Sequence, residues 1–251
     1  MSETILPRHS LLVRFTHWLT ALAFLALVVT GVEILISHPR FYWGETGNVN
    51  MRPLFTIPIP SSREIVHTGY GYVMPDQNGW SRYLHFQSGW LLVGAGLLYF
   101  IFGLARGHFR RNLLPAPADL SPQRLAVSIG QHLRFERPGP EEAWSYNVLQ
   151  RVAYLTVIFV FFPLIIWTGL AMSPAFESFA PGAVTILGGH QSARTIHFFV
   201  TGLLVLFVGV HVLMIILAGF RNRMRAMITG HVAGQITGQV NGQVSGTEER
   251  V

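Results

Sequence analysis

The chain has no cysteine, every one of its basic residues is arginine, and charged residues make up only 12% of its 251 positions. Without cysteine there can be no disulfide, no iron-sulfur cluster and no thioether-attached haem, so any redox cofactor must be held by other side chains. The charged fraction is about half that of an ordinary soluble domain. Half of the residues are apolar, which places the chain in the membrane class. A net charge of +6 would suggest a nucleic-acid partner in a soluble protein, but in this class the position of each charge matters more than the sum.

Apolar runs of about 20 residues are needed to cross a hydrocarbon core about 30 Å thick. Four stretches reach that length, at about Leu11 to Ile36, Tyr83 to Leu104, Val148 to Met172 and Thr195 to Phe220. The first is too long for a secretory signal and no small-x-small cleavage site follows it before His38-Pro39, so it reads as a retained anchor. The expected fold is an all-α integral membrane four-helix bundle over residues 1–228, followed by a tail over 229–251.

The arginines set the expected topology. They concentrate at Arg8 and Arg14, in the middle loop with Arg151 just after it, and behind the last span at Arg221, Arg223 and Arg225. The positive-inside rule puts both termini and the middle loop in the cytoplasm. The loop from His38 to Arg82 then faces outward. Its length and its aromatics, among them Tyr42, Trp43, Tyr70, Tyr72 and Trp80, predict a folded cap. Interfacial packing and a docking surface for a partner fit it equally well.

In the middle loop, Ser121 and Pro122 predict a short surface helix to about Leu133. After Gly230 the sequence repeats GHVA-GQIT-GQVN-GQVS, whose glycine density predicts a flexible tail. Pro163 removes one hydrogen bond from the third span and predicts a bend. Thr30-Gly31 and Thr168-Gly169 recur near the outer ends of the first and third spans, a pair that close helix packing explains.

Of eleven histidines, four lie within spans: His17, His85, His197 and His211. An ionisable group at that depth is costly enough to be a functional hypothesis by default. Following the chain through the membrane, His17 and His211 come near the inner face, and His85 and His197 near the outer. Fourteen residues separate His197 from His211, about 21 Å along a helix and within about 40° of the same direction. A bundle whose interior presents two imidazoles at each of two levels suits two haems, each with one axial ligand from either side. Gly89, Gly94, Gly96, Gly202 and Gly209 could admit flat macrocycles or serve helix packing. Arg14 and Arg194, each within one turn of a histidine, could pair with haem propionates or anchor at the interface. An interhelical hydrogen bond is the alternative for any single histidine; the pairing by depth argues against it for all four.

Arg14-Phe-Thr-His17-Trp18, His85, and Arg194-Thr-Ile-His197 with His211 fourteen residues on resemble the di-haem cytochrome b subunits of nickel-iron hydrogenases, formate dehydrogenases and thiosulfate reductases. The resemblance runs from about Pro7 to Arg225. It implies two b haems, the outer on His85 and His197 and the inner on His17 and His211, in a bacterial inner-membrane subunit that passes electrons between an outer catalytic partner and quinone. The long outer loop is similar to that of members paired with periplasmic molybdenum-cofactor oxidoreductases. Some relatives with this core act alone as superoxide-to-quinone oxidoreductases, and a haem-free transporter is the remaining class.

Overall fold

The computed structural model describes residues 9–48, 50–59, 77–115, 120–134 and 148–230. The glycine-headed repeat after Gly230, and Tyr70 and Tyr72 in the loop after the first span, lie outside them. Four helical stretches are long and apolar enough to cross a membrane. These are α1 (Leu11–Ser37), α2 (Gln77–Ala105), the stretch from Val148 to Ala171, and α8 (His190–Leu217). Between the second and third spans lies α3 (Pro122–Leu133), where Ser121-Pro122 placed it.

The third span has two parts, α4 (Val148–Thr156) and α5 (Phe162–Ala171), joined by a π-helical turn at Val157–Phe161. There the Phe162 N–H donates to the Val157 carbonyl. The widened turn lies just ahead of Pro163, which has no N–H to offer and sits in the first turn of α5. Two short helices follow, α6 (Pro174–Phe179) and α7 (Pro181–Ile186), each with a proline in its first turn.

Three boundaries depart from the hydropathy reading. α2 begins at Gln77, so Trp80 and Arg82 belong to the helix and not to the loop. α8 begins at His190, because the Gly44 carbonyl accepts from the Gln191 and Ser192 N–H groups that open it. It stops at Leu217, short of Phe220, because Gly219 takes φ 96°, a conformation that ends a helix at little cost only for glycine. The chain restarts as α9 (Phe220–Thr229), closed by Gly230 at φ 90°, so ordered chain extends beyond residue 228.

The largest fully buried side chains are Thr30, Thr168, Thr195, Ser81 and Ser192, while Leu22, Leu25, Ile101 and Leu206 are exposed. Small hydroxyl residues inside and large apolar ones outside is the pattern of helices packed in lipid, where the tails compete with leucine for contact and small residues let backbones approach.

The described residues divide into two compact units, one within Met1–Trp18, Leu98–Val152 and Val208–Val251, the other within Leu19–Leu97 and Ala153–Phe207. Each contains a piece of all four spans. In the second unit a small ribbon not foreseen from the sequence pairs β1 (Arg40–Phe41) with β2 (Phe55–Thr56), Phe41 opposite Phe55. Their rings stack 4.7 Å apart and Phe41 meets Phe198 of α8 at 4.6 Å. The ribbon gives the described part of this loop the folded character its aromatics suggested. Val157, Val200 and Leu204 form one apolar cluster of the same unit, and Ala171, Val184, Leu187 and Ala193 another.

Two histidine pairs as candidate cofactor sites

In the unit containing Leu19–Leu97 and Ala153–Phe207, His85 of α2 faces His197 of α8 with ring centroids 6.3 Å apart and planes inclined by 57°. In the other unit, His17 of α1 faces His211 of α8 at 6.4 Å and 52°. Neither distance suits a direct hydrogen bond between the rings. A metal between two imidazoles sits about 2 Å from each coordinating nitrogen, and each ring centre lies roughly 1.2 Å beyond its nitrogen, so centroids about 6.4 Å apart are expected. Both pairs meet that spacing. Among the described residues there is no group of three or more His, Cys, Asp or Glu that could hold a metal, so imidazoles come in twos and the remaining ligands of a six-coordinate iron would have to come from a macrocycle.

Side chains around the rings support the fit. The His85 Nδ1 lies 2.9 Å from Thr30 Oγ1, and the His197 Nδ1 lies 3.0 Å from Thr168 Oγ1. Beside each threonine is its glycine. A Cβ on Gly31 would stand 3.5 Å from the His85 Cε1, and one on Gly169 would stand 3.4 Å from the His197 Cε1. These two dipeptides were legible in the sequence only as packing motifs. In the other unit, Trp18 meets the His17 ring edge-on at 5.3 Å. The His17 Nδ1 is buried without a hydrogen-bond partner among the described residues, a cost of about 1–3 kcal/mol unless another group takes it up. A Cβ built on Gly89, Gly94, Gly96, Gly202 or Gly209 meets no atom within 4 Å, so those backbones border open space of the kind that either a flat ring or a lipid chain needs.

The two arginines singled out beside the histidines are engaged with backbone. Arg14 donates through Nη1 to the Ile228 carbonyl in α9. Arg194 lies over the Phe41 ring at 4.8 Å and donates to the His38 carbonyl just past the end of α1.

A model of the prokaryotic cytochrome b561 proteins matches residues 8–230, a range that takes in all four histidines. The chain belongs to the prokaryotic cytochrome b561 family. It is an integral, multi-pass membrane haem protein of that family. A relative from Azospira oryzae, assigned by name as the protein-methionine-sulfoxide reductase subunit YedZ1, is 30% identical over 236 residues, covering 92% of this chain and all of the relative. No solved structure matches the chain with significance. Family membership supplies the class of cofactor.

Proposed function

We propose that this cytochrome b561 protein relays electrons across a bacterial inner membrane, between a redox subunit on the outer face and the quinone pool, by way of two b haems. His85 and His197 would hold the outer haem, and His17 and His211 the inner. One observation carries the reading: both pairs have the centroid spacing, 6.3 and 6.4 Å, that two imidazoles adopt about a shared metal. A b haem ligated by two imidazoles exchanges single electrons and leaves no open position for oxygen chemistry.

The chain's own contribution is placement. α8 supplies one histidine to each pair, fourteen residues apart in sequence. The arginine distribution orients the whole, with both termini and the middle loop in the cytoplasm. An electron moving inward across the full membrane works with or against about 2.3 kcal/mol per 100 mV. Quinone is assigned to the inner side, near His211 and the start of the middle loop, within reach of cytoplasmic protons and in contact with membrane lipid.

The name of the Azospira relative points to a protein-methionine-sulfoxide reductase as the kind of partner. The long loop after α1 resembles those of chains serving molybdenum-cofactor oxidoreductases. The partner is therefore assigned as a periplasmic oxidoreductase of that kind.

The test is a reduced-minus-oxidised visible spectrum of the purified chain with a pyridine haemochrome assay. Two b haems per chain, with no turnover until the partner is added, are expected. Quinone reduction by superoxide with no other protein would make the chain a self-contained oxidoreductase, and a colourless protein would sink the reading.

A further inference from the structure

Each threonine beside the His85 and His197 rings is itself fixed by its own helix. Thr30 Oγ1 donates to the Ala26 carbonyl at 2.7 Å, and Thr168 Oγ1 donates to the Leu164 carbonyl at 2.8 Å. A hydroxyl has one proton. With that proton directed at the carbonyl four residues back, the oxygen can only accept from the imidazole 2.9 or 3.0 Å away. The proton of each ring therefore sits on Nδ1, and each Nε2 keeps its lone pair for a ligand. Both threonines are fully buried, so no water competes for the contact. The adjacent glycines leave each ring edge room against the helix backbone, at Cβ distances of 3.5 and 3.4 Å. One device is used twice, from α1 onto α2 and from α5 onto α8.

We propose that Thr30 and Thr168 are positioning residues that lock the tautomer and ring plane of His85 and His197, and so hold down the reduction potential of the haem on that pair. This rests on the haem-ligand reading above. An acceptor on Nδ1–H makes the imidazole a more basic ligand, and a more basic axial ligand favours the more highly charged ferric iron, so the potential falls. At the other pair, His17 Nδ1 has no such partner among the described residues. Thr16 supplies the control. It is buried and donates to its own helix in the same way, at the Leu12 carbonyl, and it belongs to the unit that contains His17.

The experiment is a potentiometric titration of the full chain, followed by visible and electron paramagnetic resonance spectra, for wild type, Thr30→Val, Thr168→Val, both serine variants and Thr16→Val. The haem of the His85 pair is identified by its absence from His85→Ala. The valine variants should raise that haem's potential by a several-fold change in its reduction equilibrium, tenfold being about 59 mV for one electron. They should leave the other haem in place, and serine should restore the wild-type value. Loss of that haem in valine but not in serine variants supports the same role. The inference fails if the valine variants titrate as wild type, if serine does not rescue, or if Thr16→Val moves the same haem equally. If the wild-type chain itself lacks two low-spin haems, the ligand reading fails instead, and the two failures are told apart.

Discussion

The Arg14 guanidinium donates to the Ile228 carbonyl, tying the beginning of α1 to the last turn of α9. The Trp18 indole, one turn further along α1, adds a second tie to the Met227 carbonyl at 3.3 Å. These carbonyls belong to a helix end that lacks partners within the helix itself, and a cation there is favoured by the helix dipole. Arg14→Gln combined with Trp18→Phe should free α9. A charged hydrogen bond of about 1.5–3 kcal/mol corresponds to at least a tenfold rise in amide hydrogen exchange across Phe220–Thr229. Because Trp18 also meets the His17 ring, Arg14→Gln alone is the variant for the haem: its spectrum should stay unchanged, and a shifted haem potential would instead favour a propionate partner for Arg14.

Loss of any one ligand should remove one haem of two and not a quarter of the total. His85→Ala and His197→Ala should each halve the haem content by pyridine haemochrome, and the double variant should lose no more than either alone. His17→Ala and His211→Ala should halve it in the same way, at the other centre. Independent, additive losses across one pair would break the pairing drawn from the 6.3 and 6.4 Å spacings.

Gly189 is the hinge on which α8 starts. It holds φ 103°, and a Cβ there would lie 2.7 Å from the Gly44 carbonyl oxygen. That carbonyl receives the Gln191 and Ser192 N–H groups, and the Gly44 N–H in turn donates to Ser192 Oγ at 2.8 Å. Gly189→Ala combines left-handed strain with a backbone clash, on the order of 2 kcal/mol or more. The melting temperature in detergent should fall by roughly 4–8 °C, with Ser192→Ala giving a smaller drop.

His108 lies beyond the end of α2, against Tyr99 at 5.8 Å and Phe109 at 6.1 Å. Burial there holds its imidazole below the ordinary value. Above about pH 6.5 the ring is neutral in both folded and unfolded chains and nothing is lost. As pH falls through that value the unfolded chain takes up its proton first, so stability declines downward from about 6.5 until the folded ring also titrates. Thermal melts between about pH 8 and pH 5.5 should show this slope, and His108→Phe should flatten it.

What could be read from the sequence was whatever depends on helix rise and hydropathy alone. Counting along four apolar runs put His17 with His211 and His85 with His197, because chain direction and 1.5 Å per residue fix depth. Boundaries set by backbone partners were out of reach. Hydropathy starts the fourth span at Thr195, since four of the five residues from His190 to Arg194 are polar, whereas the Gly44 carbonyl starts it at His190. It also runs smoothly past Gly219, whose positive φ ends the helix. Thr30 and Thr168 were visible only as parts of a packing motif. A threonine in a membrane helix ordinarily satisfies itself on its own backbone, and nothing along the chain reveals that a second lone pair meets an imidazole on another helix. The backbone carbonyls that Arg14 and Arg194 reach, at Ile228 and His38, are likewise not shown by their sequence neighbourhood.

The π-helical turn at Val157–Phe161 sets the azimuth of everything after it. An α-helix advances about 100° per residue, so deleting one position there would swing Thr168 by that angle against Tyr154, which is anchored edge-on to Phe207 at 6.1 Å. A hydroxyl displaced by a quarter turn cannot meet the His197 ring, although every residue of the span would survive and its apolar character would be untouched. The extra residue in that turn is thus an indexing step, and a family member lacking it would have to reach its histidine from a different position of the same helix.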